Sequence, residues 1–463
     1  MSRRMKKASE RTALLDHLDE GGPAGVDEGG QPWVVRGAPL GATVRLRTGR
    51  KNKGQLLAVV EPAADAVAPV CPVFGLCGGC QLQASPLSRQ RLAKAELLGK
   101  LVGAGPEVAQ HGVGGGASGY HYRNKLELSW STRAFSAEPR PAGVEEVRGA
   151  YLGFHPPGWF AKVVPVSGCP LGTPAMNALI GRVAALQLAP AWDNHRHEGH
   201  FRHLVVRDAG TVEAPQVLAT VVTTSAASPE AMEALAQALE GSPGLIGLLW
   251  VVNDGVADVA SGELRAVLRG RDHLLFQLGP ARLQIPHDGF FQVNTEGAAL
   301  LIGIIEQALG EGGGALLDLY CGVGAIGLSL SHRYDRIVGI ELFEPSILVA
   351  RANAAAMGVE SEWHAGPVEK VLPTLAIEGR RSIVVDPPRA GLHPDAARYL
   401  ATAPGDVLVY VACNPASLGR DRLLLEAGGW RLTDLWGVDL FPQTPRIEAV
   451  ARFVRPPAAP TEG

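Results

Sequence analysis

Apolar and polar positions alternate with a strand-like period in three short runs near the N-terminus: Trp33-Val-Val-Arg, Ala42-Thr-Val-Arg-Leu-Arg and Gln55-Leu-Leu-Ala-Val-Val. Asp27-Glu-Gly-Gly and Gly49-Arg-Lys-Asn-Lys-Gly supply turns between them, so residues 1–68 are expected to form a small β-barrel. The Ala/Pro-rich stretch 62–70 reads as a linker. From Pro86 to Val102 the period becomes helical, with Leu92, Leu97, Leu98 and Leu101 available to one face. Strand patterns such as Lys125-Leu-Glu-Leu-Ser-Trp and Gln216-Val-Leu-Ala-Thr-Val-Val, with helical candidates at 174–187 and 228–240, assign 69–278 to an α+β central domain. Helix 86–102 is free to pack on the next unit. A helix at 294–309, burying Leu300, Leu301, Ile304, Ile305 and Leu309, then opens an alternation of strands and helices that predicts a doubly wound α/β domain over 279–463.

Length and composition narrow the function. A chain of 463 residues exceeds one compact core. It has no apolar run long enough to span a bilayer, and its basic N-terminus, Met1 to Arg11, lacks the apolar core of a secretory signal, so a cytoplasmic protein is expected. Six cysteines in such a chain are too sparse for a disulfide scaffold and are better explained as metal ligands or catalytic groups. The net charge of −3 argues against a wholly nucleic-acid-binding surface. Arg45, Arg47, Arg50, Lys51 and Lys53 nevertheless lie between Gly41 and Gly54 without an acid. They fit either a solvated hairpin or the basic face of an oligonucleotide-binding barrel.

The segment Ala315-Leu-Leu-Asp-Leu-Tyr-Cys-Gly-Val-Gly-Ala-Ile-Gly joins an apolar strand to a helix through glycines 322, 324 and 327. Asp318 precedes the turn, and Glu341 ends the next strand, where a carboxylate can take ribose hydroxyls. A purely structural tight turn is the plain alternative. D-L-x-C-G-x-G followed by an acidic residue resembles motif I of class I S-adenosylmethionine-dependent methyltransferases. A dehydrogenase is the main competitor, but nothing downstream resembles a hydride-transfer site. Asp386-Pro-Pro-Arg-Ala-Gly follows another apolar run, with Arg389 where amino-group methyltransferases carry an aromatic residue. Cys413 follows Val407-Leu-Val-Tyr-Val-Ala, a setting where a cysteine is usually an inert small hydrophobe.

D-P-P-R-A-G, C-N-P-A-S-L-G-R-D, F-P-Q-T-P-R-I-E and Gly289-Phe-Phe-Gln-Val-Asn294 together resemble the RNA 5-methyluridine (uracil-C5) methyltransferases. With C-x5-C-G-G-C and a basic barrel of the TRAM type, the likeness extends over nearly the whole chain and is closest to the 23S rRNA branch. The bacterial tRNA branch typically lacks barrel and cysteine cluster. The resemblance implies a class I S-adenosylmethionine methyltransferase domain, a TRAM/OB-like barrel and the α+β central domain. It implies Cys413 as nucleophile toward carbon 6 of uracil and Glu448 as the base at carbon 5. Gln292 and Asp386 match positions contacting cofactor and target base, and Tyr320, Gly322, Gly324 and Glu341 match cofactor contacts. Two departures stand out: Gln443 and Arg446 occupy positions where the family commonly shows His, and Ala325 replaces a frequently polar residue.

Cys71, Cys77 and Cys80 have metal-ligand spacing, and Cys169 in Val166-Ser-Gly-Cys-Pro is the natural fourth ligand. Zinc on four thiolates is the alternative from spacing, while the resemblance favours a structural [4Fe-4S] cluster. The expected partner is RNA, rRNA foremost with tRNA as an alternative. Tyr122-Arg-Asn-Lys and His200-Phe-Arg-His-Leu-Val-Val-Arg are candidate contacts, and the target uridine must leave its stack. No membrane partner is expected, and a monomer is the default. The rivals are an RNA cytosine-5-methyltransferase, whose family usually carries a cysteine after its D-x-P motif, and an RNA-binding assembly factor that has lost activity.

Overall fold

The computed structural model describes residues 9–136 and 146–455. The basic residues 1–8, which carry most of the N-terminal targeting argument, lie outside the described residues. The first five strands are β1 (Glu10–Asp19), β2 (Gly22–Asp27), β3 (Pro32–Val35), β4 (Thr43–Thr48) and β5 (Lys53–Glu61). They close a barrel in the order β1-β2-β3-β5-β4 around Leu15, Trp33, Val35, Val44 and Leu46. The expected strands at 33, 42 and 55 are present. β1 and β2 were not foreseen, because Gly22-Pro-Ala-Gly-Val-Asp has weak strand propensity and is held by pairing with β1.

Next come α1 (Leu87–Val102), β6 (Ala109–Gly114), β7 (Lys125–Arg133), β8 (Arg148–Phe154), β9 (Val164–Pro165), α2 (Pro174–Ala185), β10 (Phe201–Asp208), β11 (Val217–Thr223), α3 (Pro229–Leu239), β12 (Leu245–Val252) and β13 (Glu263–Gly270). The central sheet runs β13-β12-β11-β10-β7-β8-β9, with α2 and α3 packed against it. Thr173 and Ser228 cap these two helices, each accepting a backbone N–H two or three residues into the helix.

The remaining elements are β14 (His273–Leu278), β15 (Ala281–Pro286), α4 (Thr295–Leu309), β16 (Ala315–Leu319), α5 (Ala325–Ser329), β17 (Arg336–Glu341), α6 (Glu344–Met357), β18 (Ser361–Ala365), α7 (Val368–Val371), β19 (Arg381–Val385), α8 (Pro394–Thr402), β20 (Val407–Ala412), α9 (Pro415–Ala427), β21 (Arg431–Val438) and β22 (Glu448–Val454). Their sheet has the order β18-β17-β16-β19-β20-β22-β21-β6. Strands β16 to β20 are parallel, and β22 is antiparallel to both β20 and β21. This is the expected doubly wound α/β domain, with its topological switch point between β16 and β19.

α1 packs its Leu98 and Val102 into the C-terminal core, the unit on which helix 86–102 was free to pack, and β6, not foreseen, pairs with β21, so the stretch from 87 to 114 lies against the last sheet. The β14–β15 hairpin, cut by a boundary at 279, packs Leu274, Phe276 and Ile285 with Leu301 and Ile305 of α4. On α1, Leu92 is 68% exposed; Gln90, Ala93 and Lys94 are buried instead. Leu300 of α4 is only half-buried. Leu18 and Leu40 of the barrel, Leu82, and Ala93 and Leu97 of α1 form a small core that seats the barrel beside the last sheet. Among the described residues no helix is long and apolar enough to cross a membrane.

Candidate active site

The carboxyl ends of β16, β19 and β20 carry the glycine turn, Asp386 and Cys413 respectively. Ligands in open α/β sheets gather at this edge, beside the switch point. Tyr320 follows β16 in a left-handed conformation, φ 64°, and Gly322 and Gly324 continue the turn at φ 54° and 79°. A Cβ on Gly324 would come within 2.7 Å of the Trp363 ring, which explains the glycine there. Asp318 is fully buried and accepts the Gly327 N–H at 2.8 Å. Burial pushes its carboxyl up to about 7. Glu341 accepts N–H donors from Gly322 at 3.1 Å and Phe343 at 2.9 Å, one on each oxygen. Each oxygen keeps lone-pair capacity for a ligand hydroxyl.

Gln292 is positioned from the central domain: Asn124 Nδ2 donates to the Gln292 carbonyl at 2.9 Å and to Thr295 Oγ1 at 2.9 Å. Asn294 caps α4 by accepting the Gly297 N–H and donates to the Leu440 carbonyl. The Asp386 loop is held by α9. Asp421 accepts the Leu392 N–H at 2.8 Å and the Tyr410 hydroxyl at 2.7 Å, while Asn414 donates to the Arg389 carbonyl at 2.9 Å.

Cys413 and Glu448 meet because β20 and β22 are antiparallel. Ala412 pairs with Ala449, so Cys413 at the end of one strand and Glu448 at the start of the other are adjacent in register. Glu448 is 2% exposed, and burial followed by the charge of Asp386 drives its carboxyl far above the ordinary range. Asp386 is shifted in the same direction by burial and then by Asp318. The Cys413 thiol, half-buried, is pushed up to about 11 by burial, then by Glu448 and Asp386, with Arg389 opposing. A chain of acidic groups thus runs from Asp318 through Asp386 to Glu448 and the thiol, and would welcome a cation.

Cys413 opens into a cleft of about 190 Å³. Its walls come from the barrel (Arg36), the cysteine loop (Gly78, Gly79), the Arg389 loop and Arg446. Cys71, Cys77, Cys80 and Cys169 line a second cavity, of about 210 Å³, which also has Gly78 and Gly79 in its wall. The loop carrying three cysteines is therefore the partition between the two spaces. Burial raises the Cys77, Cys80 and Cys169 thiols, Cys80 to about 12, and the neighbouring cysteines add to each shift. Among the described residues no three His, Cys, Asp or Glu side chains converge closely enough to hold a metal ion, these cysteines included. The structure gathers the four expected ligands around one cavity without forming the expected centre.

Most basic residues of one candidate RNA segment, residues 200–207, are turned inward. Arg202, His203 and Arg207 are buried in β10: Arg202 donates to the Asn253, Gly255 and Ala257 carbonyls, and Arg207 to those of Pro286, His287 and Gly289. Tyr122 gives its hydroxyl to the Pro442 carbonyl at 3.0 Å. Alternating basic residues in a strand looked like a surface because the sequence does not reveal the loops that cover it. The basic residues Arg45, Arg47, Arg50, Lys51 and Lys53 are exposed on the barrel. Arg36, which sequence reasoning missed, faces the cleft; it lies outside every basic run and carried no signal in the sequence.

A family described as tRNA (Uracil-5-)-methyltransferase matches residues 279–362. An uncharacterized RNA methyltransferase of Caldanaerobacter subterraneus subsp. tengcongensis is 32% identical over 461 residues, covering 96% of this chain and 99% of that protein. Another, from Nitratidesulfovibrio vulgaris, is 33% identical and covers 94% of each chain. Among solved structures, Pyrococcus abyssi tRNA (uracil-54, C5)-methyltransferase in complex with S-adenosyl-L-homocysteine aligns at a TM-score of 0.76 with 24% identity, covering 96% of this chain and 99% of that one.

Proposed function

Since this chain belongs to the RNA uracil-5-methyltransferase family, we propose that it methylates carbon 5 of a uridine in 23S rRNA through a covalent adduct between Cys413 and carbon 6. The observation that carries this reading is the convergence of Cys413, Glu448 and Asp386 at one sheet edge, over a cleft that also touches the barrel. Gly322, Gly324, Tyr320, Glu341 and Gln292 would hold S-adenosylmethionine, which supplies an electrophilic methyl group when bound.

Carbon 5 of uracil is a weak nucleophile. The Cys413 thiol gives its proton to water, the thiolate sulfur adds to carbon 6, and the electron pair displaced from the ring double bond makes carbon 5 able to take the methyl. Glu448 then accepts the proton from carbon 5, the double bond re-forms, and the Cys413 sulfur leaves as thiolate. Burial raises the Glu448 carboxyl, which makes its ionised form a stronger proton acceptor. Asp386, next to both, would contact the base or cofactor.

Cys71, Cys77, Cys80 and Cys169 would ligate a [4Fe-4S] cluster, supported by an all-sulfur donor set around a single cavity. The cluster would brace the partition formed by Gly78 and Gly79, a structural role. The barrel is assigned to RNA binding through its exposed basic strand β4 and following loop. A second reading, tRNA as substrate, is favoured by the description of the matching family.

RNA carrying 5-fluorouridine at the target position tests the chemistry, because fluorine cannot leave as a cation and the adduct persists. Wild type is expected to give an adduct stable to denaturation, and Cys413→Ala none. No adduct with wild type, or an adduct with the variant, would remove Cys413 from the mechanism. Mapping 5-methyluridine in rRNA and tRNA from a deletion strain decides between the two RNAs.

A further inference from the structure

Three arginines from distant parts of the chain meet at the cleft over Cys413. Arg36 follows β3 of the barrel, Arg389 lies in the loop after β19, and Arg446 precedes Glu448 by two residues. All three are exposed, and none has an ion-pair partner among the described residues. Some other arginines of this chain are paired, as Arg89 is with Asp65 and Arg336 with Glu362. Glu20 is the one carboxylate among the described residues lining the cleft. The Arg446 guanidinium is held below its usual range, first by burial and then by the like charges of Arg389, Arg123 and Arg36, so the group is mutually crowded as well as unneutralised.

Unpaired guanidinium groups around a nucleophile call for an anionic ligand, and their planar forks match phosphate oxygens better than a point charge does. Their arrangement also limits the kind of anion. They come from the barrel and from two loops of the catalytic sheet around one opening, separate elements that suit successive phosphates of a strand rather than one small ion. Resting on the methyltransferase reading, we propose that Arg36, Arg389 and Arg446 form a phosphodiester clamp that grips single-stranded RNA on both sides of the uridine presented to Cys413. The barrel then does more than raise local RNA concentration through β4: Arg36 takes part in positioning the target nucleotide. Arg446, at a position where the family commonly shows His, gives this chain a permanent charge there.

The test is binding of a fluorescein-labelled single-stranded RNA with one central uridine, followed by anisotropy across a salt series. Wild type is compared with Arg36→Gln, Arg446→Gln, the charge-keeping Arg36→Lys and Arg446→Lys, and Arg398→Gln as control. Arg398 pairs with Asp395 on α8 and does not line the cleft. Each Gln variant is expected to bind roughly 5- to 20-fold more weakly at moderate salt, and its slope of log K against log[salt] to shrink by about 0.7 for each phosphate it no longer neutralises. The Lys variants should keep the wild-type slope, and Arg398→Gln should change neither quantity. S-adenosylhomocysteine binding by calorimetry, expected unchanged, verifies that each variant is folded. Unaltered affinity and slope in the Gln variants, or equal losses in the Lys variants, would overturn the clamp. The 5-fluorouridine adduct separates the two ideas: an adduct with unaltered slopes leaves the chemistry and removes the clamp, whereas reduced slopes without an adduct keep the clamp and remove the chemistry.

Discussion

Gln90 and Gln443 exchange two hydrogen bonds across 353 residues of chain: the Gln443 N–H donates to Gln90 Oε1 and the Gln90 amide donates to Gln443 Oε1, both at 2.9 Å. The Gln443 carbonyl in turn accepts N–H donors from Gln81 and Leu82, at 2.9 and 3.1 Å. Gln443 thereby ties the loop that leads into Glu448 to the segment directly after Cys80. Lys94, fully buried one helical turn after Gln90, adds an ion pair to Asp439 at 2.5 Å. α1 acts as the strut between the cysteine loop and the catalytic sheet.

Replacing Gln443 with Ala is expected to lower stability by roughly 1–2 kcal/mol, because it removes the side-chain hydrogen bonds to the Gln90 amide and the Gly119 carbonyl while the main-chain N–H to Gln90 stays. The thermal midpoint and the rate of 5-fluorouridine adduct formation should fall together. A midpoint equal to wild type would show that the pair contributes nothing to holding the loop.

Glu448→Gln keeps the shape of the buried side chain but not its basicity. Turnover should drop by about 10²- to 10⁴-fold, the usual contribution of a positioned base. Methylated RNA should accumulate as a covalent protein–RNA species resistant to denaturation, visible on a gel with unmodified uridine RNA. Normal turnover by this variant would exclude Glu448 as the base.

In the ligand-free protein the Cys413 thiol titrates near 11. Its alkylation by iodoacetamide, followed by peptide mass spectrometry, should therefore accelerate about tenfold per pH unit between pH 7 and 9, as the thiolate fraction rises. A rate already level across this interval would mean that the thiol is ionised at rest.

Asp318 holds its proton up to about pH 7 in the folded protein, whereas an unfolded aspartate loses it near 4. The stability this group contributes is fully present below about pH 4 and is lost as pH rises through 7. The thermal midpoint should accordingly fall between about pH 4 and 7 and level off above, and fall less in Asp318→Asn. S-adenosylmethionine, a cation received by the acidic chain, should release protons on binding near pH 7. Calorimetry in buffers of different ionisation enthalpy measures that release, and enthalpies independent of buffer would contradict it.

Anaerobically purified protein is expected to be brown and to contain iron and inorganic sulfide in equal amounts, about four of each per chain. Cys80→Ala should lose both and lower the thermal midpoint. Colourless protein with one zinc and no sulfide would replace the cluster with a tetrathiolate zinc site.

Much of the catalytic domain was legible in the chain itself. The apolar runs before Asp386 and Cys413 place both just past strand ends, and Asp318 lies within β16, since a buried parallel strand reads as a continuous apolar stretch. Glycine positions read equally well, because the left-handed conformations of Gly322 and Gly324 leave few other choices. Cysteine spacing named three of the four residues that share a cavity, and Cys169, the remaining distant cysteine, is the fourth. What local pattern could not carry was strand order. Only the antiparallel insertion of β22 beside β20 brings Glu448 to Cys413, and only the pairing of β6 with β21 moves α1 into the catalytic core. Likewise, Arg202 and Arg207 are indistinguishable from surface bases in sequence, yet folding buries them under loops whose carbonyls they satisfy, while Arg36 is carried to the cleft by the seating of the barrel on α1. Local pattern reports which face of an element is apolar; the meeting of distant residues depends on how those faces pack.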